Sequence, residues 1–267
     1  MNGSREIKFT QWVRMAYKKT KGLVMNLSGT ENQNQANLNF SRDALLRRND
    51  GSFFKLDNVS YSYGSVKALS QVSLAIGRGE IVFVTGSSGA GKSTLLKVLK
   101  EELLPSSGKV FLPKFLNSQI FISGVEQESD LLGDFSCHDN MALAYDPTIY
   151  RRKKDFNNDL QDLAKYIGIT DKLDLKINRC NGGLRQKVAI ARALLARPDV
   201  FIADEPTSSL DYDSSKKIFD ILNVYNIKRG MTIVWASHNR ELVKRFTGRI
   251  IHLDNGKIIY SGHACFI

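Results

Sequence analysis

The chain has 267 residues, 42% hydrophobic and 24% charged, enough apolar material to bury the core of one large domain or two small ones. No apolar run reaches the roughly 18 residues that a bilayer span needs, and the N-terminus lacks the basic-then-apolar layout of a secretory leader, so a cytosolic chain is expected. The net charge of +11 points to acidic partners, and nucleotide, anionic lipid and nucleic acid would each satisfy it.

In chain order, the first pattern is helical. Phe9, Trp12, Val13, Ala16, Leu23, Val24 and Leu27 recur three and four apart among Arg5, Lys8, Arg14, Lys18, Lys19 and Lys21. Residues 1–27 therefore read as a basic amphipathic extension that could lie on an anionic membrane surface, dock on a partner, or pack on its own domain. Residues 28–52 are polar, rich in Asn and Gln, and read as a linker. Together residues 1–52 hold nine basic against four acidic residues, so they carry +5 of the excess.

From Phe53 the texture changes. The stretches FFKLDNVSYSY and VSLAI read as strands, and EIVFVTG is a short β-branched run ending in glycine. A helix, KSTLLKVLKEELL, is expected next, closed by Pro105. Residues 128–180 have no comparable β-branched runs and read as a mostly helical inserted subdomain. DVFIADE and MTIVWASH are buried-strand runs, with a helical segment around Lys216 to Tyr225 between them. Strands alternating with helices, with polar residues at the strand ends, predict an α/β fold whose parallel sheet binds ligand at its carboxyl edge. Cys137, Cys180 and Cys265 are scattered without metal-ligand spacing and read as free thiols.

The chemistry concentrates in two places. Gly86, Ser87, Ser88, Gly89, Ala90, Gly91, Lys92 and Ser93, followed by Thr94, match the phosphate-loop pattern G-x-x-x-x-G-K-[ST] between a strand and a helix. Its glycines let backbone N–H groups turn toward phosphate oxygens, and the helix start adds partial positive charge. Lys92 is expected to reach the β- and γ-phosphates of ATP, and Ser93 to place its hydroxyl on Mg²⁺. At the end of VFIADE, Asp204 is expected to hold that ion through water, and Glu205 to orient or deprotonate the attacking water.

A phosphate loop alone admits kinases, GTPases, helicases and transport ATPases. The run GGLRQKVAIARALLARPDVFIADEPTSSLD, followed by TIVWASH, resembles the nucleotide-binding domain of ABC ATPases, and the resemblance extends from Phe53 to Gly262. It implies a P-loop NTPase fold with a RecA-like parallel core sheet, an antiparallel β subdomain and a helical subdomain, here 128–180 of a cassette spanning 53–267. By position, the resemblance assigns Tyr63 to adenine stacking, with Tyr61 the weaker match. It assigns Gln127 to sensing Mg²⁺ and water, Asp211 to the loop crossing a dimer interface, and His238 to the γ-phosphate.

The stretch CNGGL, Cys180 to Leu184, departs from the family signature, which is usually Leu-Ser-Gly-Gly-Gln or -Glu and contacts the γ-phosphate held by the opposite subunit. Asn181 replaces the serine, and Asn caps a helix about as well as Ser while also offering amide hydrogens to phosphate. Leu184 cannot reach back to the cap N–H as the usual glutamine would, a loss on the order of 1 kcal/mol or less. Gly182 and Gly183 are intact, so the stretch reads as a modified, competent signature; a slow-turnover site is the alternative.

Within the family, FVTGSSGAGKSTLLKVL, EQESDLLGDFSCHDNMALA and ADEPTSSLD are similar to segments of the FtsE branch, with the LolD and MacB branches next. Ser208-Ser209 and His238-Asn239 depart from that branch, which commonly shows Gly-Asn and His-Asp. The resemblance implies an ATPase peripheral to the inner face of the cell membrane, closing as a homodimer on ATP against an FtsX-like integral membrane protein. A permease of a lipoprotein-release or macrolide-export transporter is the alternative partner. No nucleic-acid partner is expected.

Overall fold

The computed structural model describes residues 52–112, 120–126, 130–238, 243 and 246–263. The extension predicted over 1–27 and the linker over 28–51 lie outside these residues, as do Gln127 and Cys265. Ser52, read from the sequence as the linker's last residue, instead opens the first strand.

Two sheets carry the architecture. Strands β1 (Ser52–Tyr63) and β2 (Val66–Gly77) form an antiparallel hairpin, and β4 (Ser107–Phe111) pairs with the other edge of β1. The second sheet comprises β3 (Ile81–Thr85), β5 (Ile122–Val125), β6 (Val200–Asp204), β7 (Thr232–Ala236), β8 (Arg249–Asp254) and β9 (Lys257–His263). Its order is β5-β6-β7-β3-β8-β9, parallel throughout except for the antiparallel β8–β9 pair.

The central strands are apolar at nearly every position because both faces are covered. On β3, Ile81 and Phe83 face one core while Val82 and Val84 face the other. On β7, Ile233 and Trp235 are divided in the same way from Val234 and Ala236. The first core holds the helices α2 (Cys137–Ala142), α3 (Lys153–Ile167), α4 (Gly182–Leu195) and α5 (Tyr212–Arg229). The second joins the parallel sheet to α1 (Lys92–Leu99) and to the antiparallel sheet. The expected α/β architecture is therefore present, and between residues 130 and 180 the described chain has helices and 3-10 turns with one isolated bridge, Ser136 to Lys176.

Two helix lengths differ from expectation. Helix α1 stops at Leu99 rather than running toward Pro105. Glu101 takes a left-handed φ of 60°, and the Glu102 and Leu103 N–H groups turn back to the Lys97 carbonyl. Such a closure satisfies the orphan carbonyls of the last turn. Leu104 is 82% exposed, so a longer helix would gain little apolar burial there. Helix α5 runs well beyond the expected segment, because Asp211 caps its start and Gly230, at φ 66°, ends it.

Candidate functional site

The parallel register places the candidate loops on one sheet edge. Val84 pairs with Ala236, Ala236 with Asp204, and Val125 with Ala203, so β3, β7, β6 and β5 end together. The loops leaving those ends carry Gly86 to Gly91, His238, Glu205 and the segment before Gln127. This is the carboxyl edge at which α/β sheets bind ligands.

The phosphate loop is shaped by contacts that only glycine tolerates. Gly91, at φ 102°, is the N-cap of α1, and a Cβ there would run into the Ala68 carbonyl of β2. A Cβ on Gly86 would meet the Leu253 carbonyl of β8. Gly89 faces open space, and Ser87, Ser88, Gly89 and Ser93 are exposed, while Ala90 and Thr94 are buried. Lys92 is 8% exposed, and its Nζ donates to the carbonyls of Gly86 (2.9 Å) and Ser87 (3.0 Å). An ammonium has three donors, so this cradle of turned backbone and a buried cation suits a polyphosphate.

Tyr63 ends β1, is 49% exposed, and meets Tyr61 edge-to-face at 4.9 Å between ring centroids. Tyr61 pairs across the hairpin with Leu69, which packs beside Gly91, so the two aromatic rings stand on the strand pair that flanks the loop.

Glu205 sits immediately after β6 in a left-handed backbone conformation, φ 49°, that a residue with a Cβ adopts at a cost. Three contacts hold it there. Its N–H donates to the Ala236 carbonyl (3.0 Å), and its own carbonyl accepts from Ser208 N–H (3.1 Å) and from the Gln186 amide (2.9 Å). Its carboxylate is mostly buried, and one oxygen receives both the His238 backbone N–H (2.9 Å) and the His238 Nδ1 (2.8 Å). Asp204, one residue earlier, ends β6 and is half-buried. Among the described residues no three His, Cys, Asp or Glu side chains cluster as a metal cage. A divalent ion at this edge would therefore complete its shell with substrate phosphates and water, the usual preference of Mg²⁺.

The signature stretch is in-chain architecture as well as a candidate contact. Asn181 is the N-cap of α4, its Oδ1 accepting the Leu184 N–H at 2.8 Å, which leaves its amide hydrogens for an incoming oxygen. Leu184 packs against the first core, and this apolar burial offsets the missing capping-box partner. Gly182 faces the Ser209 side chain, and a Cβ on Gly183 would stand 2.8 Å from the Ser209 carbonyl. Asp211 caps α5 through the Ser214 N–H (2.7 Å), a bond that holds its carboxyl below the usual carboxylate range.

Sequence reasoning missed Gln186. It is buried at 7% exposure on α4, donates to the Glu205 carbonyl, and accepts the Ser209 N–H at 3.2 Å. One side chain thus ties the signature helix to the strained glutamate and to the SSLD turn. Replacing Gln186 with Ala leaves the Ser209 N–H without its side-chain partner and the Glu205 carbonyl with the Ser208 N–H alone, which costs about 1–3 kcal/mol. Thermal or urea unfolding should register that loss, and turnover should fall more than ATP affinity.

The comparisons with known proteins agree with this geometry. Residues 69–208 match the ABC transporter family profile. The chain belongs to the ABC transporter ATP-binding family. Methionine import ATP-binding protein MetN 4 of Oceanobacillus iheyensis is 33% identical over 223 residues, which cover 78% of this chain and 64% of that protein. The chain thus spans less than two thirds of this relative's length. Cell division ATP-binding protein FtsE of Mycobacterium tuberculosis is also 33% identical, over 216 residues covering 76% of this chain and 93% of FtsE. The dimeric ATP-binding cassette MJ0796, in a post-hydrolysis state with ADP and Pi, superposes with a TM-score of 0.68 at 29% identity, covering 80% of this chain and all of that one. The fold is the ABC cassette, and the cassette is an ATP-binding ATPase module. No helix among the described residues is long and apolar enough to cross a membrane.

Proposed function

We propose that this chain is the ATP-hydrolysing subunit of an ABC-type membrane complex of the FtsE kind, coupled to an FtsX-like integral membrane protein. The observation that carries the hydrolytic part is the juxtaposition, on one sheet edge, of the Lys92 loop with Glu205 and His238, whose side chains meet at 2.8 Å. Backbone N–H groups from Gly86 to Gly91 and the Lys92 ammonium bind the β- and γ-phosphates, with Ser93 and Thr94 at the helix start and Tyr63 against the base. Ser93 and Asp204 would hold Mg²⁺, joined by Gln127. Bound there, the ion would neutralise charge on the phosphates. Glu205 takes the proton from the attacking water, and His238 orients that carboxylate and meets the γ-phosphate.

One phosphate loop per chain makes two copies the minimal two-site unit. Asn181, Gly182 and Gly183 of one copy then close over the triphosphate held by the other, with Asp211 at the crossing. The dimeric MJ0796 cassette with ADP and Pi supports this arrangement. The basic residues of 1–27 are the proposed contact with anionic lipid beside the membrane partner.

The FtsE relative supports the division branch. The MetN relatives support a second reading, in which the same cassette drives a permease of a solute importer. Affinity capture of the tagged chain from solubilised membranes, with the integral partner sequenced, separates the two. A partner with a large extracytoplasmic domain supports the first, and a multi-span permease overturns it in favour of the second.

A further inference from the structure

Two thiols separated by 43 positions in the sequence meet inside the helical part of the cassette. The Sγ atoms of Cys137 and Cys180 lie 3.6 Å apart, both buried, at 0% and 6% exposure. Cys137 opens α2, and its N–H donates to the Leu175 carbonyl at 2.8 Å. Next to it, Ser136 bridges to Lys176 and the Ile177 N–H donates to the Phe135 carbonyl (3.0 Å), so backbone bonds hold the start of α2 against the segment that leads to Cys180. Cys180 is also held, its N–H donating to the Ile177 carbonyl (3.0 Å) and its Sγ to the Lys176 carbonyl (3.2 Å); it directly precedes Asn181, the cap of α4, and its own carbonyl accepts from the Arg185 side chain at 3.0 Å.

We propose that Cys137 and Cys180 form a redox pair, oxidised by peroxide to a disulfide that displaces the Asn181 cap and slows ATP hydrolysis. Disulfides in reducing compartments are usually transient and regulatory rather than structural, which suits a contact pair poised beside a functional helix start. Cys180 reacts first, since it retains some exposure: its thiolate attacks one peroxide oxygen, breaking the O–O bond to leave a sulfenic acid and, after proton uptake, water. The Cys137 sulfur then attacks the Cys180 sulfur, expelling the hydroxyl as a second water. In sum two thiols and one H₂O₂ become one disulfide and two waters. Cys137 is pushed up to about 12 by burial and by its neighbour Cys180, so it stays protonated until the sulfenic acid forms against it. The Cys137 thiol proton passes to the departing hydroxyl as the S–S bond forms, and the contact between the two sulfurs favours that step.

Bond formation closes 3.6 Å to the roughly 2 Å of a disulfide. Whatever share of that movement Cys180 takes shifts Asn181, which follows it directly in the chain. A misplacement of about 1 Å in a catalytic site can cost on the order of 100-fold. The effect on turnover rests on the ATPase reading above; the bond itself does not.

The test uses the full chain carrying Cys265→Ser, treated with H₂O₂, alkylated and mapped without reduction. A linked Cys137–Cys180 peptide is expected, with changed hydrogen exchange at the amides of 181–186 and ATPase turnover reduced at least tenfold, all reversed by dithiothreitol. Cys137→Ala should keep the reduced-state turnover and lose the reversible sensitivity. Both thiols alkylated after oxidation would overturn the proposal, as would a linked peptide with turnover within twofold and unchanged exchange at 181–186. Should the reduced chain hydrolyse no ATP, the ATPase reading fails alone, because peptide mapping and hydrogen exchange still decide the pair.

Discussion

Replacing Glu205 with glutamine is expected to leave ATP binding within about threefold of the parent while turnover falls by about 10²–10⁴, the range assigned to a general base. The geometry makes this substitution unusually clean. Glutamine has the same length and Cβ, so it keeps the φ of 49° and the contact of its carbonyl with Gln186. Its amide oxygen can still accept the His238 N–H now bonded at 2.9 Å. What disappears is the negative charge and the capacity to take a proton. An ATP-bound dimer should therefore persist on size exclusion where the parent dissociates. Glu205→Gly relieves the strained φ but gives up both bonds to His238, so it should be as slow as Glu205→Gln. Phosphate release by Glu205→Gln at the parent rate would remove the base assignment.

Lys92→Ala is expected to weaken ATP by about 10- to 100-fold, because a charge-assisted hydrogen bond contributes about 1.5–3 kcal/mol and each 1.4 kcal/mol is tenfold in affinity. The fold should survive. The cap of α1 is Gly91 rather than the lysine, and the loop's close approaches to Ala68 and Leu253 involve glycines that the substitution leaves alone. Lys92→Arg should rescue poorly, since a planar guanidinium is wider than the ammonium now seated between the Gly86 and Ser87 carbonyls. Titration calorimetry with ATP and a thermal melt of each variant check both halves. An affinity for ATP within threefold of the parent would exclude Lys92 as a phosphate ligand.

Much of the cassette was legible along the chain because its signals are local. The phosphate loop needs glycines at fixed offsets from a lysine, and the strand before it is apolar throughout because the sheet is covered on both faces. Asn181 could be placed at a helix start from residue type and flanking pattern, and it caps as such residues do, whereas Asp211, read only as part of the loop crossing a dimer interface, proved to cap a helix as well. Helix ends were less legible. Leu99 closes α1 through backbone bonds from Glu102 and Leu103 to Lys97, which no apolar period announces.

Other features belong to the tertiary structure alone. Gln186 lies opposite the stripe of Leu184, Val188 and Ala191, the side that periodicity assigns to solvent. Yet α4 is buried nearly all round, and that glutamine braces Glu205 and Ser209. The Gly183 approach to Ser209 and the meeting of Cys137 with Cys180 likewise join segments that lie well apart along the chain. The sequence by itself determined β1, β2, β3, β6 and β7, the Asn181 cap and the phosphate-binding loop, since these depend on backbone conformations set within a few residues. Only the packed fold decided which buried polar and sulfur groups became partners, because that depends on which elements share a face once both cores have closed.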